Sequence, residues 1–305
     1  MIEMTVNATN GLIRADGEWP DCSLKDPISI VVLNLMPTRK TTELQFLSRF
    51  DDCQFDVQLT FMYPATHHFN GAPRKLIEKN YVNLTQIYHQ QFDGLIITGA
   101  PVETLPFEDV DYWQEISTII DWAKTHVKEK LFECWAAQAG LYHDFGIQKQ
   151  LLPAKLFGIY TATKVDLHSP LTAGFDADYP IRMPQSRNTQ SIINETHLPN
   201  GLRIVVSARQ SGPMILSGDH TTYITGHPEY QAQTLAQEYQ RDLNKHLPIQ
   251  PPKNYFKNMA MGMVDYSWRT ASTKIYENWV RLLVNRQSSL AVWPQEKPKQ
   301  DISPV

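Results

Sequence analysis

Short apolar runs alternate, through the first half of the chain, with segments whose apolar residues recur every three or four positions. Residues 28–36 (Ile-Ser-Ile-Val-Val-Leu-Asn-Leu-Met) are nearly all apolar, which suits a strand buried on both faces, as in a parallel sheet. Pro37 ends it, and Thr38 can cap a helix reaching Phe50, with Leu44, Leu47 and Phe50 on one face. Val57, Leu59, Phe61 and Tyr63 fall at every second position and predict another strand. Pro73 opens a helix through Leu76, Ile77 and Tyr81, and residues 92–98 form a third buried strand running into Gly99-Ala-Pro-Val-Glu103. Asp111 with Gln114 three residues on reads as a capping box for a helix that puts Trp113, Ile116, Ile120 and Ala123 on one face. Leu131-Phe132 closes one more strand, and the Ala, Gln and Leu residues after Cys134 favour helix. This alternation predicts a three-layer α/β sandwich around a mainly parallel sheet.

The pattern changes after residue 150. Residues 202–208, 213–217 and 221–225 read as short strands of a mixed or antiparallel extension. A helix after Glu229 places Ala232, Leu235, Tyr239 and Leu243 inward, until Pro248, Pro251 and Pro252 break it. Residues 274–285 form a last amphipathic helix with Ile275, Trp279, Leu282 and Leu283 apolar. Residues 1–27, mixed and polar, read as an arm packing on the body. Residues 291–305, rich in Pro and Lys, read as a disordered tail. The expectation is one domain over 1–290.

Composition narrows the classes. With 305 residues, 42% hydrophobic and 20% charged, the chain has ample material for a globular core. A net charge of −4 without a long basic run points away from nucleic acid and anionic membranes. Three cysteines, Cys22, Cys53 and Cys134, fit a reducing compartment better than a disulfide framework. The start, Met-Ile-Glu-Met, lacks a secretory pattern, and no run of about eighteen apolar residues suggests a membrane span. Cytoplasmic localisation is expected, and a homodimer is left open. His67-His68 invites a metal reading, but neighbours on a strand point to opposite faces and no Cys/His partner stands at ligand spacing, so no metal is expected. No phosphate-cradling glycine motif follows a strand.

Cys134 carries the candidate chemistry. A cysteine where a strand turns into a helix lies over the free N–H groups of the helix N-terminus, which favour thiolate. Ala136, Ala137, Ala139 and Gly140 let that helix approach the sheet closely. This is a nucleophile elbow with sulfur in place of oxygen. Such a nucleophile needs a base, and the base an orienting group. Tyr223-Ile-Thr-Gly-His-Pro-Glu-Tyr230 offers both: His227 and Glu229, two apart, project the same way, with Pro228 stiffening the link. Gly99, Cys134 and His227 all fall just past strand ends, where ligands bind in such sheets. Cys22 and Cys53 lack both an elbow and a nearby base.

With these residues in place, the chain resembles the homoserine O-acyltransferase (homoserine transsuccinylase) family. The motifs are Asn34-Leu-Met-Pro37, Phe92-Asp-Gly-Leu-Ile-Ile-Thr-Gly-Ala-Pro101, Cys134-Trp-Ala-Ala-Gln-Ala-Gly140, Lys155-Leu-Phe-Gly158, Gly226-His-Pro-Glu-Tyr230 and Gln233-Thr-Leu-Ala-Gln-Glu-Tyr239. The resemblance implies a class I glutamine amidotransferase-like (flavodoxin-like) fold. It implies acyl transfer from a coenzyme A thioester to an amino-acid hydroxyl, with Cys134 as acyl carrier, His227 as base and Glu229 as its orienter. It also implies that Lys155, Ser186 and Arg241 hold substrate, Arg241 gripping the acceptor carboxylate, and that Glu103, two residues after Gly-Ala-Pro, selects acetyl over succinyl. The N–H of Trp135 and one from loop 99–102 are the candidate oxyanion donors. Acetyl-CoA would be co-substrate, with no further cofactor.

Two departures touch the acceptor. Gln185 and Asn188 in Pro184-Gln-Ser-Arg-Asn188 replace the family's His and Tyr, and Thr161-Ala162 replaces Glu-His. Homoserine, hence methionine biosynthesis, is the expected acceptor. Serine, hence cysteine biosynthesis, is the alternative. A succinyl donor, a glutaminase-type hydrolase and an inactive binding protein are the further readings.

Overall fold

A computed structural model describes residues 4–53, 55–69, 73–258 and 260–287. In chain order the strands are β1 Val6–Ala8, β2 Ile28–Leu33, β3 Val57–Met62, β4 Phe92–Ile97, β5 Val127–Glu133, β6 Lys149–Thr161, β7 Lys164–Val165, β8 Arg182–Ser191, β9 Arg203–Ala208, β10 Gly212–Gly218 and β11 Thr221–Ile224. The helices are α1 Leu12–Ala15, α2 Arg39–Asp51, α3 Arg74–Asn80, α4 Leu84–Ile87, α5 Trp113–His126, α6 Trp135–Phe145, α7 Thr234–Asn244 and α8 Arg269–Gln287.

Among the described residues, nine strands form one sheet in the order β1-β3-β2-β4-β5-β11-β10-β9-β7. Every pairing from β1 to β11 is parallel; β10, β9 and β7 continue antiparallel. The alternation of β2 decides the layers. Ile30 and Val32 face α2 and α8, packing with Phe46, Phe50, Ile275 and Trp279. Val31 and Leu33 face α5 and α6, packing with Ile116, Ile120, Ala136 and Leu141. The predicted three-layer α/β sandwich and its mixed extension are what is observed.

Several local expectations differ. The N-terminal arm does pack on the body, but it also lengthens the sheet: β1 pairs parallel with β3, Val6 opposite Val57. The Leu12 and Ile13 amides then donate to the buried Glu43 carboxylate at 2.9 and 2.7 Å. Asp111 caps nothing. α5 begins at Trp113, and Asp111 accepts instead from the His68 amide at 2.8 Å, with both ring Nδ1 atoms of His67 and His68 close by. Those two histidines lie in a loop and face the same carboxylate, so the strand geometry assumed for them does not apply. Thr38 occupies the N-cap of α2 without a side-chain cap bond. β6 and β8 form a separate two-stranded sheet, far longer than the short strands expected there. On α7, Leu235 is buried and Tyr239 packs beside it as expected, but Leu243 is 39% exposed and Asp242 is buried in its place. The expected tail at 291–305 lies outside the described residues. No described helix is long and apolar enough to cross a membrane.

Candidate active site

β5 ends at Glu133, and Cys134 turns the chain at φ 50°, ψ −114°. Side-chain-bearing residues rarely adopt this backbone, and it persists only where surrounding structure holds it. Two contacts hold it here. The Cys134 amide donates to Ile224 O of β11 at 2.8 Å. On its other side α6 is pressed against the sheet: a Cβ on Gly140 would lie 2.3 Å from Phe132 Cδ2. The thiol therefore stands at the first turn of α6, next to the partnerless amides of a helix start.

β11 lies beside β5, with Ile224 opposite Glu133. The chain leaving β11 carries His227 to the sulfur. The His227 amide donates to Pro184 O at 2.9 Å, its Nδ1 meets Glu229 Oε1 at 2.7 Å, and its ring stacks on Tyr230 at 4.2 Å between centroids. This leaves Nε2 for Cys134, whose sulfur interacts with the imidazole. All three residues are buried. Burial works against charge on His227, yet the facing sulfur and Glu229 hold its pKa well above the ordinary imidazole value. Gly99 at the end of β4 keeps the space above the pair open: a Cβ there would lie 3.2 Å from Cys134 Cβ and 3.3 Å from His227 Cε1.

The pair opens into a cleft of about 630 Å³ that Lys155, Ser186, Arg241 and Glu103 also line. Cys134, His227, Lys155, Ser186, Arg241 and Glu103 thus line one cavity, with Glu229 buried behind His227, and Trp135, at the first position of α6, presents its backbone at the same corner. The charges are arranged differently from expectation. Lys155 Nζ lies 3.0 Å from Asp242 and 3.8 Å from Glu238, and Ser186 Oγ donates to Glu238 at 2.5 Å. Arg241 turns Nε and Nη2 to Asp242 at 2.8 and 2.7 Å, so its two-pronged face is already engaged. Burial would raise the Asp242 pKa, but Lys155 and Arg241 hold it below its usual value. Glu103 accepts from Asn188 N and Nδ2 at 2.8 and 2.7 Å, and from Thr189 N and Oγ1 at 3.2 and 3.1 Å. Asn188 is therefore a partner of the Glu103 carboxylate. Thr161 and Ala162 close the far end of the β6–β8 pair and do not line the cleft.

Glu238 and Asp242 escaped the sequence reading. The signal was present, since Glu238 stands in the quoted 233–239 motif and Asp242 follows at the i+4 spacing of one helix face. Burial raises the thiol pKa of Cys53, which lies far from this cleft and donates to Arg49 O. Among the described residues no cluster of three or more His, Cys, Asp or Glu is placed to hold a metal ion.

Comparison with known proteins agrees with this geometry. A glutamine amidotransferase from Thermotoga maritima superposes with a TM-score of 0.58 at 12% identity, covering 85% of this chain and 99% of that one. The homoserine O-succinyltransferase family model matches residues 22–290. A homoserine O-acetyltransferase of Synechococcus elongatus is 43% identical over 256 residues, 83% of this chain and 85% of that protein. One of Bacillus licheniformis is 38% identical over 265 residues, 86% and 87% of the two chains. Fold and site together define a class I glutamine amidotransferase-like α/β protein with a cysteine at its strand–helix elbow. Within that class, the chain belongs to the homoserine O-succinyltransferase family.

Proposed function

We propose that this protein transfers an acetyl group from acetyl-CoA, through a thioester on Cys134, to the hydroxyl of L-homoserine. The observation that supports it most is the buried Cys134–His227–Glu229 line at the carboxyl ends of β5 and β11, in a chain whose relatives are named homoserine O-acetyltransferases.

The Cys134 thiolate attacks the thioester carbonyl, and the oxyanion is met by the Trp135 amide and one from loop 99–102. The carbon–sulfur bond to CoA breaks, and the leaving thiolate takes the proton from His227. Exchange of one thioester for another is nearly isoenergetic. The acceptor hydroxyl, a poor nucleophile at neutral pH, then gives its proton to His227 as it attacks the acyl carbon, and Cys134 departs as thiolate. Lys155, Ser186 and Arg241 hold the acceptor, with Glu238 and Asp242 ordering Lys155 and Arg241. On this reading the enzyme is cytoplasmic and uses acetyl-CoA as co-substrate, with no other cofactor.

Incubation with acetyl-CoA and no acceptor is expected to add one acetyl group at Cys134, read by mass spectrometry. Label that survives in Cys134→Ala sinks the reading. His227→Ala is expected to lose turnover by about a hundredfold or more. A kcat/KM preference for serine moves the acceptor assignment, and hydrolysis of glutamine moves the reaction class.

A further inference from the structure

Glu133, the last residue of β5, has no place in the three-residue mechanism, yet its side chain is wholly buried beside that of Glu229. Each carboxyl has one oxygen supplied with a proton: Glu133 Oε1 by the Tyr276 hydroxyl of α8, Glu229 Oε1 by His227. The remaining oxygens, Glu133 Oε2 and Glu229 Oε2, are buried, and no N–H or O–H among the described residues reaches them. The two side chains are close enough for their charges to interact. Two ionised carboxylates have only acceptors to offer, and setting them together away from water costs far more than sharing one proton.

We propose that Glu133 is a positioning residue: in its neutral acid form it donates its carboxyl proton to Glu229 and so fixes the carboxylate that orients His227. The proton belongs on Glu133 rather than Glu229, because Glu229 is hydrogen-bonded directly to the imidazole while Glu133 accepts its hydrogen bond from the neutral Tyr276 hydroxyl. The groups around Glu133 are Glu229 and His227 from the segment after β11, Tyr276 from α8, and Arg49 of α2 beyond Tyr276. Burial first, and then the Glu229 charge, push the Glu133 pKa well above the carboxylate range; the Tyr276 hydrogen bond pulls the other way and does not prevail. The arrangement also withdraws charge from Glu229, which keeps His227 from binding its proton too tightly to act as a base.

This inference rests on the triad reading above, so its test includes a readout independent of acyl transfer. Infrared spectra of the wild type at neutral pH should show a carboxylic-acid C=O band that Glu133→Gln lacks. If the band that disappears is an ionised carboxylate band, the proposal is overturned. In kinetics, Glu133→Leu is expected to lower kcat/KM by about tenfold to a hundredfold. It should also move the acidic limb of the kcat profile to higher pH, because Glu229 without its donor holds the imidazolium more strongly. Glu133→Gln, which keeps an N–H donor, should recover most of that loss. A folded Glu133→Leu with an unmoved limb shows a packing role and sinks the idea. If Glu133→Leu does not fold, the infrared comparison decides. A wild type without acyltransferase activity refutes the functional reading, while the infrared band still decides Glu133.

Discussion

In the proposed acyl-enzyme, the Cys134 sulfur would no longer present a negative charge to His227. In the free protein, burial lowers the His227 pKa, while the sulfur and Glu229 raise it and win. In the thioester the sulfur contribution vanishes and the burial remains, so the imidazole releases its proton more readily when the acceptor step needs a base. The midpoint for acyl transfer from isolated acyl-enzyme to homoserine is therefore expected at lower pH than the His227 ionisation of the free protein, followed by Cys134 alkylation. Equal midpoints would refute this coupling. Glu103 carries a second prediction. Its carboxylate lines the cleft and accepts from four donors of Asn188 and Thr189. Glu103→Gly frees those donors and removes a like charge that would cost several kcal/mol against a succinyl carboxylate, at an effective dielectric of about 20. The wild type should prefer acetyl-CoA, and the glycine variant should gain activity with succinyl-CoA; a wild type indifferent to donor defeats the assignment. Cys134, His227 and Glu229 were legible in the sequence because each sits in a short local pattern with its own geometry. Glu133 and Asp242 were not: their partners come from the segment after β11, from α8 and from β6, brought close only by the fold.

At the scale of elements, close packing of α6 on the sheet sets where the nucleophile stands. Adding one methyl group at Gly140 places it 2.3 Å from Phe132 and 3.0 Å from Tyr223, both ring atoms of the packed interior. Gly140→Ala is expected to cost about 1–3 kcal/mol and to lower the melting temperature by several degrees. Because the strain is delivered at the elbow, Cys134 alkylation should slow as well. Unchanged melting and alkylation would show that α6 can retreat freely. β2 and β4 were readable because burial on both faces makes them nearly unbroken apolar runs, β3 by its alternation, and β5 only by its Leu131-Phe132 end. β6 and β8 stand off the main sheet, with much of the first half of β6 exposed, so no alternation marked their length. β1, three residues long, was too short for any periodicity. The Asp111 motif had the right spacing for a cap, but two histidines from a distant loop claimed its carboxylate.

Over the whole molecule, the site joins halves of the chain that local pattern alone could not connect. The strand-end rule brought Gly99, Cys134 and His227 to one rim, but only the parallel pairing of β11 with β5 makes them neighbours. That pairing has a consequence in time. Thr221 meets Lys130 across a loop of about ninety residues, and the chain must forfeit the freedom of that loop before the contact repays it. The elbow itself leans on the late partner, because the Cys134 amide is held by Ile224 O. During refolding from denaturant, helical circular dichroism should thus return ahead of rapid Cys134 alkylation, which should rise only with the slowest phase. If alkylation recovers together with the helices, the elbow forms without β11. A chain emerging from synthesis would accordingly carry an unreactive thiol until its last third had docked, and would be spared stray acylation while incomplete.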